Sequence, residues 1–447
     1  MSRGRVVIIG GGFSGVAVAA QLMKRGRAAP DVVLIGREQR FGPGLAYGTR
    51  DPAHLLNVRA SNMSAFADQP DHFVRWLAAH GRRDAAQHFA KRAQYGAYAE
   101  HVLRRAHGGL GGASLTRVRD TAIACRTDGA LWTVTLARGK PEADAVVLAL
   151  GNAPPRPPAV FEQGGVTLLA PWDTQALARI PRGDVLLLGA GLTMIDVALS
   201  LARRRKRGVI FALSRRGQIP RAHLRNAAPA TPAALDVPAP LSEALHQFRA
   251  EVKAMAARGE PWQHALDRLR SRAPELWRRL PLAAQQRFLR HLRVWWDVHR
   301  HRAAPEIAEQ IKALQAAGRL KVLAGEIVSA APNEHGVRLQ HRGRGSRARH
   351  NMDVAAVVNC TGSSADPWLS EDGLVRQMLD EGLLRAHATK LGFDISDDSR
   401  VLAASGTPHQ SLFAVGPITQ GAFWESTAVP EIRVRAAAIA AMLAPDA

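Results

Sequence analysis

The residues best suited to chemistry in this 447-residue chain are glycines, and what they do is bind. Gly10, Gly12 and Gly15 keep the spacing G-x-G-x-x-G within "VVIIGGGFSG", and Gly189 and Gly191 open a second run, "GAGLTMID". Glycine at those places permits a tight turn, close approach of backbone to a pyrophosphate, and close packing of helix on strand. The N–H groups and positive dipole end of the following helix then attract phosphate. Phe13 and Ser14 begin the first helix, and Leu192 and Thr193 the second, so all four join the candidate contacts. The flanks fit: Arg5–Ile9 reads as a buried parallel strand and Phe13–Lys24 as a helix. Val185–Leu188 then leads into a helix lined by Leu192, Ile195, Leu199 and Ala202. Met194 replaces the third glycine of the second run, which predicts looser packing of that helix.

The strands that follow each bend set specificity. "DVVLIG" (31–36) ends in Gly36 where an acid would hold an adenosine ribose, which leaves Glu38 as the nearest candidate. In "GVIFALSRRG" (208–217), Ser214, Arg215 and Arg216 take that place, and guanidinium groups there suit a 2′-phosphate. NADPH is therefore expected at the second bend, with NADH left open. Two nucleotide sites in one chain make chemical sense if one holds a redox cofactor, here FAD, and the other its reductant. Two further apolar strands, "AVVLALGNAPPRPP" and "AAVVNCTG", end at Gly151 and at Thr361-Gly362, where the chain passes between the two nucleotide domains.

The expected fold is α/β, with two Rossmann-like dinucleotide-binding domains. A discontinuous FAD domain takes 1–155 and 326–447, and an inserted NAD(P)H domain takes 156–325. A Pro/Ala-rich loop, 227–240, introduces a helical cap spanning about 218–318. The arginines and histidines of the cap are expected to receive a polar or anionic substrate, and packing with solvation explains them equally well. His299, His301 and Arg302 do not share one helical face, so no metal site is expected.

Composition narrows the function classes. The net charge is +22, yet only eight of the 60 basic residues are lysine and the arginines are scattered, without a basic tail. That pattern argues against nucleic acid and favours small anionic ligands. Cys125 and Cys360, 235 positions apart, cannot form a CxxC pair or a disulfide framework. No apolar run approaches the roughly 20 residues a membrane span needs. "MSRGR" runs directly into the first strand with no signal-peptide pattern, so a cytoplasmic protein is expected. A homo-oligomer is left open.

Longer stretches carry a family resemblance: "FGPGLAYGT" (41–49), "HLLNVRASNMSAFADQPDHFVRWL" (54–77), "FAKRAQYGAY" (89–98), "VWWDVHRHRAAPEI" (294–307) and "LFAVGPITQGAFWESTAVPEIR" (412–433). The chain resembles the FAD/NAD(P)-binding flavoproteins related to the N-hydroxylating and flavin-containing monooxygenases. That group includes FAD-dependent urate hydroxylases and amine N-hydroxylases. The resemblance implies a single-component monooxygenase in which a flavin C4a-(hydro)peroxide passes oxygen to a small substrate, using O2 and NAD(P)H. It implies that the 54–66 segment runs along the flavin edge, with Asn57 pairing with ring or substrate and Met63 packing on the ring. Tyr47 stands near the cofactor, and Arg92 either reaches the FAD pyrophosphate or adenosine end or makes a surface ion pair. Gly416-Pro417 ends a strand (412–415) before the helix Thr427–Leu443, and Glu425 borders the substrate. Urate hydroxylation to 5-hydroxyisourate is the first expectation. N-hydroxylation of an amine or amino acid, or a flavoprotein that transfers no oxygen, are the alternatives.

Overall fold

The computed structural model describes residues 3–83, 85–107, 112–204, 208–226 and 240–445. Of the Pro/Ala-rich loop expected at 227–240, all but Pro240 lies outside them.

The chain starts a sheet with β1 (Arg5–Ile9), β2 (Asp31–Gly36) and β3 (Leu115–Arg119). A three-stranded antiparallel meander follows: β4 (Ala122–Thr127), β5 (Trp132–Leu136) and β6 (Glu142–Ala143). β7 (Ala145–Leu148) then returns to lie parallel to β1. The second sheet is built from β8 (Val185–Leu188), β9 (Ile210–Ser214), β10 (Leu320–Asn333), β11 (Gly336–Gly343), β12 (Arg349–Val354) and β13 (Ala356–Asn359). β14 (Arg400–Leu402) and β15 (Pro408–Ala414) complete the first. The strand orders are β14-β15-β7-β1-β2-β3 and β12-β11-β10-β9-β8-β13.

The two sheets repeat one plan. β1 lies between β2 and β7, β8 between β9 and β13, and all four pairings are parallel. Strands buried on both faces need continuous apolar runs, and "VVII" and "VLLL" supply them. Each central strand feeds a helix, Phe13–Met23 or Leu192–Arg204.

Two expected boundaries move. β13 pairs with β8, so the second domain runs beyond 325 and the chain re-enters the first sheet only after Asn359. The meander β10–β12 is hydrogen-bonded into that same sheet, which a cut at 325 would sever. The cap is also shorter than 218–318. Parallel strands β9 and β10 need a crossover, and helix Pro305–Ala316 provides it by burying Ile307 and Ile311 in the second core. The cap proper is the four helices Leu241–Ala257, Trp262–Arg279, Leu282–His291 and Arg293–Arg300.

The linkers between domains run side by side. Asn359 Nδ2 donates to the carbonyls of Arg156 at 3.2 Å and Pro155 at 3.4 Å, and Ser363 Oγ donates to Ala153 at 2.7 Å. No helix among the described residues is long and apolar enough to cross a membrane.

Candidate functional site

Both glycine bends sit at the C-terminal end of a central parallel strand, where a doubly wound sheet opens its crevice. Gly10 has φ +126°, and a Cβ there would collide with the Ala149 carbonyl at the end of β7. Gly189, at φ +102°, meets the Cys360 carbonyl after β13 in the same way. A side chain on Gly15 would strike the Gly10 carbonyl and press on Leu34, so helix and strand touch closely there. Met194 takes the corresponding place in the second helix and is fully buried in that domain's core.

The other glycines face space. A Cβ on Gly191, Gly151 or Gly362 meets nothing within 4 Å, and one on Gly12 meets only Gly44 Cα at 3.6 Å. The helix N-termini at Phe13 and Leu192 therefore stand beside an open cradle, which suits a pyrophosphate. Ser14 lies in the first turn of its helix, and a Cβ on Gly416 would approach its Oγ to 2.6 Å. Gly416 (φ +87°) and Pro417, which opens a short turn, thus reach the first bend across almost the whole sequence.

Glu38 lies close to Gly36 and Gly11. Its Oε2 lies where a side chain on Gly36 or Gly11 would go, and it is buried without a hydrogen-bond partner. Glycine at 36 lets the carboxylate fold back over the end of β2. At the second bend Ser214 Oγ accepts the Gly217 N–H at 3.0 Å and shapes the turn. Arg215 is exposed and Arg216 half-buried, and neither has a partner among the described residues. Thr361 Oγ1 donates to Asn359 Oδ1 at 2.7 Å, so Thr361 braces the linker while Gly362 stays open.

Several of the expected contact residues have protein neighbours. Met63 is buried to 2 % within the apolar core of the first domain. Arg92 pairs with Asp196 of the second domain at 3.0 Å and donates to the Ala46 carbonyl at 3.3 Å, so its charge has a protein partner. Tyr47 packs on Tyr95, ring centroids 4.4 Å apart, and burial pushes its phenol up to about 12. The Asn57 carbonyl accepts from His223 Nε2 at 2.9 Å, which ties the 54–66 segment to the second domain.

Glu425 is not a free acid. Arg300 binds its Oε2 through Nε at 2.8 Å and Nη2 at 2.7 Å, and the Trp296 indole N–H donates to Oε1 at 3.1 Å. Burial alone would raise its carboxyl, but Arg300, His301 and Arg270 outweigh that and hold it below the usual carboxylate range. The cap arginines are similarly engaged, Arg302 with Asp267 and Arg270 with Glu431 at 2.8 Å. An anion entering the cap finds these cations already paired. Among the described residues no three His, Cys, Asp or Glu side chains converge as a metal site.

Sequence reasoning missed Asp196, although it ends the quoted run "GAGLTMID", and missed Arg300 and Trp296 as the partners that hold Glu425. An acid inside an apolar helix was the available signal for Asp196; nothing local marked the other two.

The two bends thus sit at equivalent places on two repeated sheets. Residues 7–153 match a family described as FAD-NAD(P)-binding. No curated protein sequence matches the chain. Solved structures do. The reduced ornithine hydroxylase PvdA from Pseudomonas aeruginosa is similar with a TM-score of 0.68 at 16% identity, covering 99% of this chain and 98% of its own. L-lysine 6-monooxygenase from Pseudomonas syringae gives 0.68 at 18%, covering 98% and 99%. The ornithine N-hydroxylase KtzI from Kutzneria sp. 744, solved with reduced FAD, NADP+ and L-ornithine, gives 0.66 at 18%, covering 99% of both chains. At these identities the likeness establishes the fold: mixed α/β, with parallel sheets and two Rossmann-like domains of the FAD/NADP-binding type.

Proposed function

We propose that this chain is a single-component, NADPH-dependent FAD monooxygenase that N-hydroxylates a primary amine. The observation that carries the reading is the pair of open glycine cradles with opposite neighbours: the orphaned carboxylate of Glu38 at the first, and Arg215 with Arg216 at the second. A carboxylate suits a bare ribose and guanidinium groups suit a 2′-phosphate, so FAD is assigned to the first bend and NADPH to the second. The amine rather than urate is favoured by the names of the similar structures and by the pairing of Arg270, Arg300 and Arg302 with carboxylates.

When bound, the pair of cofactors supplies hydride transfer from nicotinamide to flavin and the activation of O2. The protein's own part is to bind, orient and exclude water. Gly10, Gly12, Phe13, Ser14 and Gly15 cradle the FAD phosphates. Gly189, Gly191, Leu192 and Thr193 do the same for NADPH. Gly151 and Gly362 leave room at the ends of their strands, while Gly416, with Pro417 after it, closes on Ser14 at the first bend. The cap seals one side by seating Trp277 on Trp424.

The test is direct. Purified protein should take up FAD, oxidise NADPH slowly alone and faster with one of ornithine, lysine, cadaverine or a related amine, and release a hydroxylamine. Stimulation by urate without any amine response would return the reading to the purine substrate. Failure to take up FAD would end it.

A further inference from the structure

The Leu192–Arg204 helix carries the second bend at its N-terminus and presents one polar stripe to the first domain. Asp196, Ser200 and Arg203 stand at i, i+4 and i+7, so they share a face. Each is met from the first domain. Arg92 Nη2 pairs with Asp196 Oδ2 at 3.0 Å, and both side chains are nearly buried. Asp51 accepts Ser200 Oγ at 2.7 Å and pairs with Arg203 through its other oxygen. His54 Nε2 lies 2.9 Å from Ser200 Oγ and 3.1 Å from the Asp196 carbonyl. This Ser, His and Asp do not make a hydrolytic triad, because Asp51 binds the serine and His54 Nδ1 faces Thr49 Oγ1 at 2.8 Å.

We infer that Arg92 and Asp196 are positioning residues that set the angle at which the second bend presents its nucleotide to the first domain. The inference rests on the two-cofactor reading above. Two linkers alone join the domains covalently, and a pair of linkers leaves rotation free. His223 on the Asn57 carbonyl also opposes that rotation, but the stripe acts on the same helix that holds the phosphates. A buried ion pair adds little net stability, because desolvation offsets its attraction, so orientation is the property it is suited to supply. Hydride transfer needs that orientation, since a displacement of about 1 Å can cost about a hundredfold in rate.

Cys125 and Cys360 are both buried, so spin labels can be placed selectively at exposed Arg117→Cys on β3 and Gln310→Cys in the crossover helix. The labelled protein should give one narrow distance without any nicotinamide present. Asp196→Asn should broaden or shift it, Asp196→Glu should restore it, and Arg203→Ala, a milder lesion, should broaden it less. In the same variants, anaerobic flavin reduction by NADPH should slow about tenfold or more for Asp196→Asn while NADP+ affinity stays within about threefold. An unchanged distance in both Asp196→Asn and Arg203→Ala overturns the inference. So does a loss of NADP+ affinity that matches the loss of rate, which would make Asp196 a binding residue. Protein that takes up neither cofactor defeats the proposed function, and the label distances then still decide whether the stripe fixes the domains.

Discussion

Trp277 of the cap stacks on Trp424 of the first domain, ring centroids 4.7 Å apart and planes inclined by 25°. Its indole N–H donates to the Gly421 carbonyl at 2.7 Å. Trp424 itself has φ +52° and ψ −61°, and the Glu425 N–H closes onto the Phe423 carbonyl at 2.6 Å. A γ-turn with positive φ is rare and strained. Phe288 and Trp296, also from the cap, pack on the same ring and hold it there.

Trp277→Ala should therefore cost about 3–5 kcal/mol, the range for deleting a buried tryptophan. Trp277→Phe keeps a ring on Trp424 and loses the hydrogen bond, for a cost nearer 1 kcal/mol. Chemical denaturation measures both. Equal losses would show that the stack contributes nothing beyond the hydrogen bond.

The two kinds of glycine should respond oppositely to alanine. Gly10→Ala meets the Ala149 carbonyl and a left-handed φ, so it should destabilise the protein by at least ~2 kcal/mol. Gly191→Ala meets no protein atom within 4 Å, so its melting temperature should hardly move. Its methyl group would fill the cradle, and NADP+ affinity measured by calorimetry should fall at least about tenfold. Retained affinity would place the nucleotide elsewhere.

Arg215→Ala with Arg216→Ala should raise KM for NADPH far more than for NADH. A charge-assisted hydrogen bond is worth about 1.5–3 kcal/mol, or more than about tenfold in binding. Parallel KM shifts for both nucleotides would remove the 2′-phosphate assignment.

His223 makes stability fall in acid. Burial first, and then the charge of Arg302, pull its pKa down to about 3 from the usual 6.5. The folded chain keeps the ring neutral while the unfolded chain takes up a proton below 6.5. Its contribution is therefore complete above pH 6.5 and is lost steadily as pH falls toward 3. His223→Gln keeps a donor for the Asn57 carbonyl and should reduce the acid slope by up to about one proton. Urea titrations at pH 7 and 4.5 measure the difference.

Local sequence determined the bends, because a turn that tight admits only glycine and the strands beside it must be apolar on both faces. "VVIIGGGFSG" and "VLLLGAG" therefore gave away two nucleotide domains, and "LSRRG" the cations beside the second. Tertiary structure decided everything that depends on residues far apart meeting. Gly36 read as a departure until Glu38 was found folded over it. Arg92 reads equally as a cofactor contact or an ion pair, and only the fold brings Asp196, 104 positions on, to it. β13 could be assigned to the second sheet only by its register with β8, since an apolar four-residue strand carries no mark of its neighbour. Glu425 became a structural acid only because Arg300 arrives from the cap. Periodicity and spacing report what a residue does to its own few neighbours. Long-range pairing is set by how whole elements pack, and no short stretch of chain encodes it.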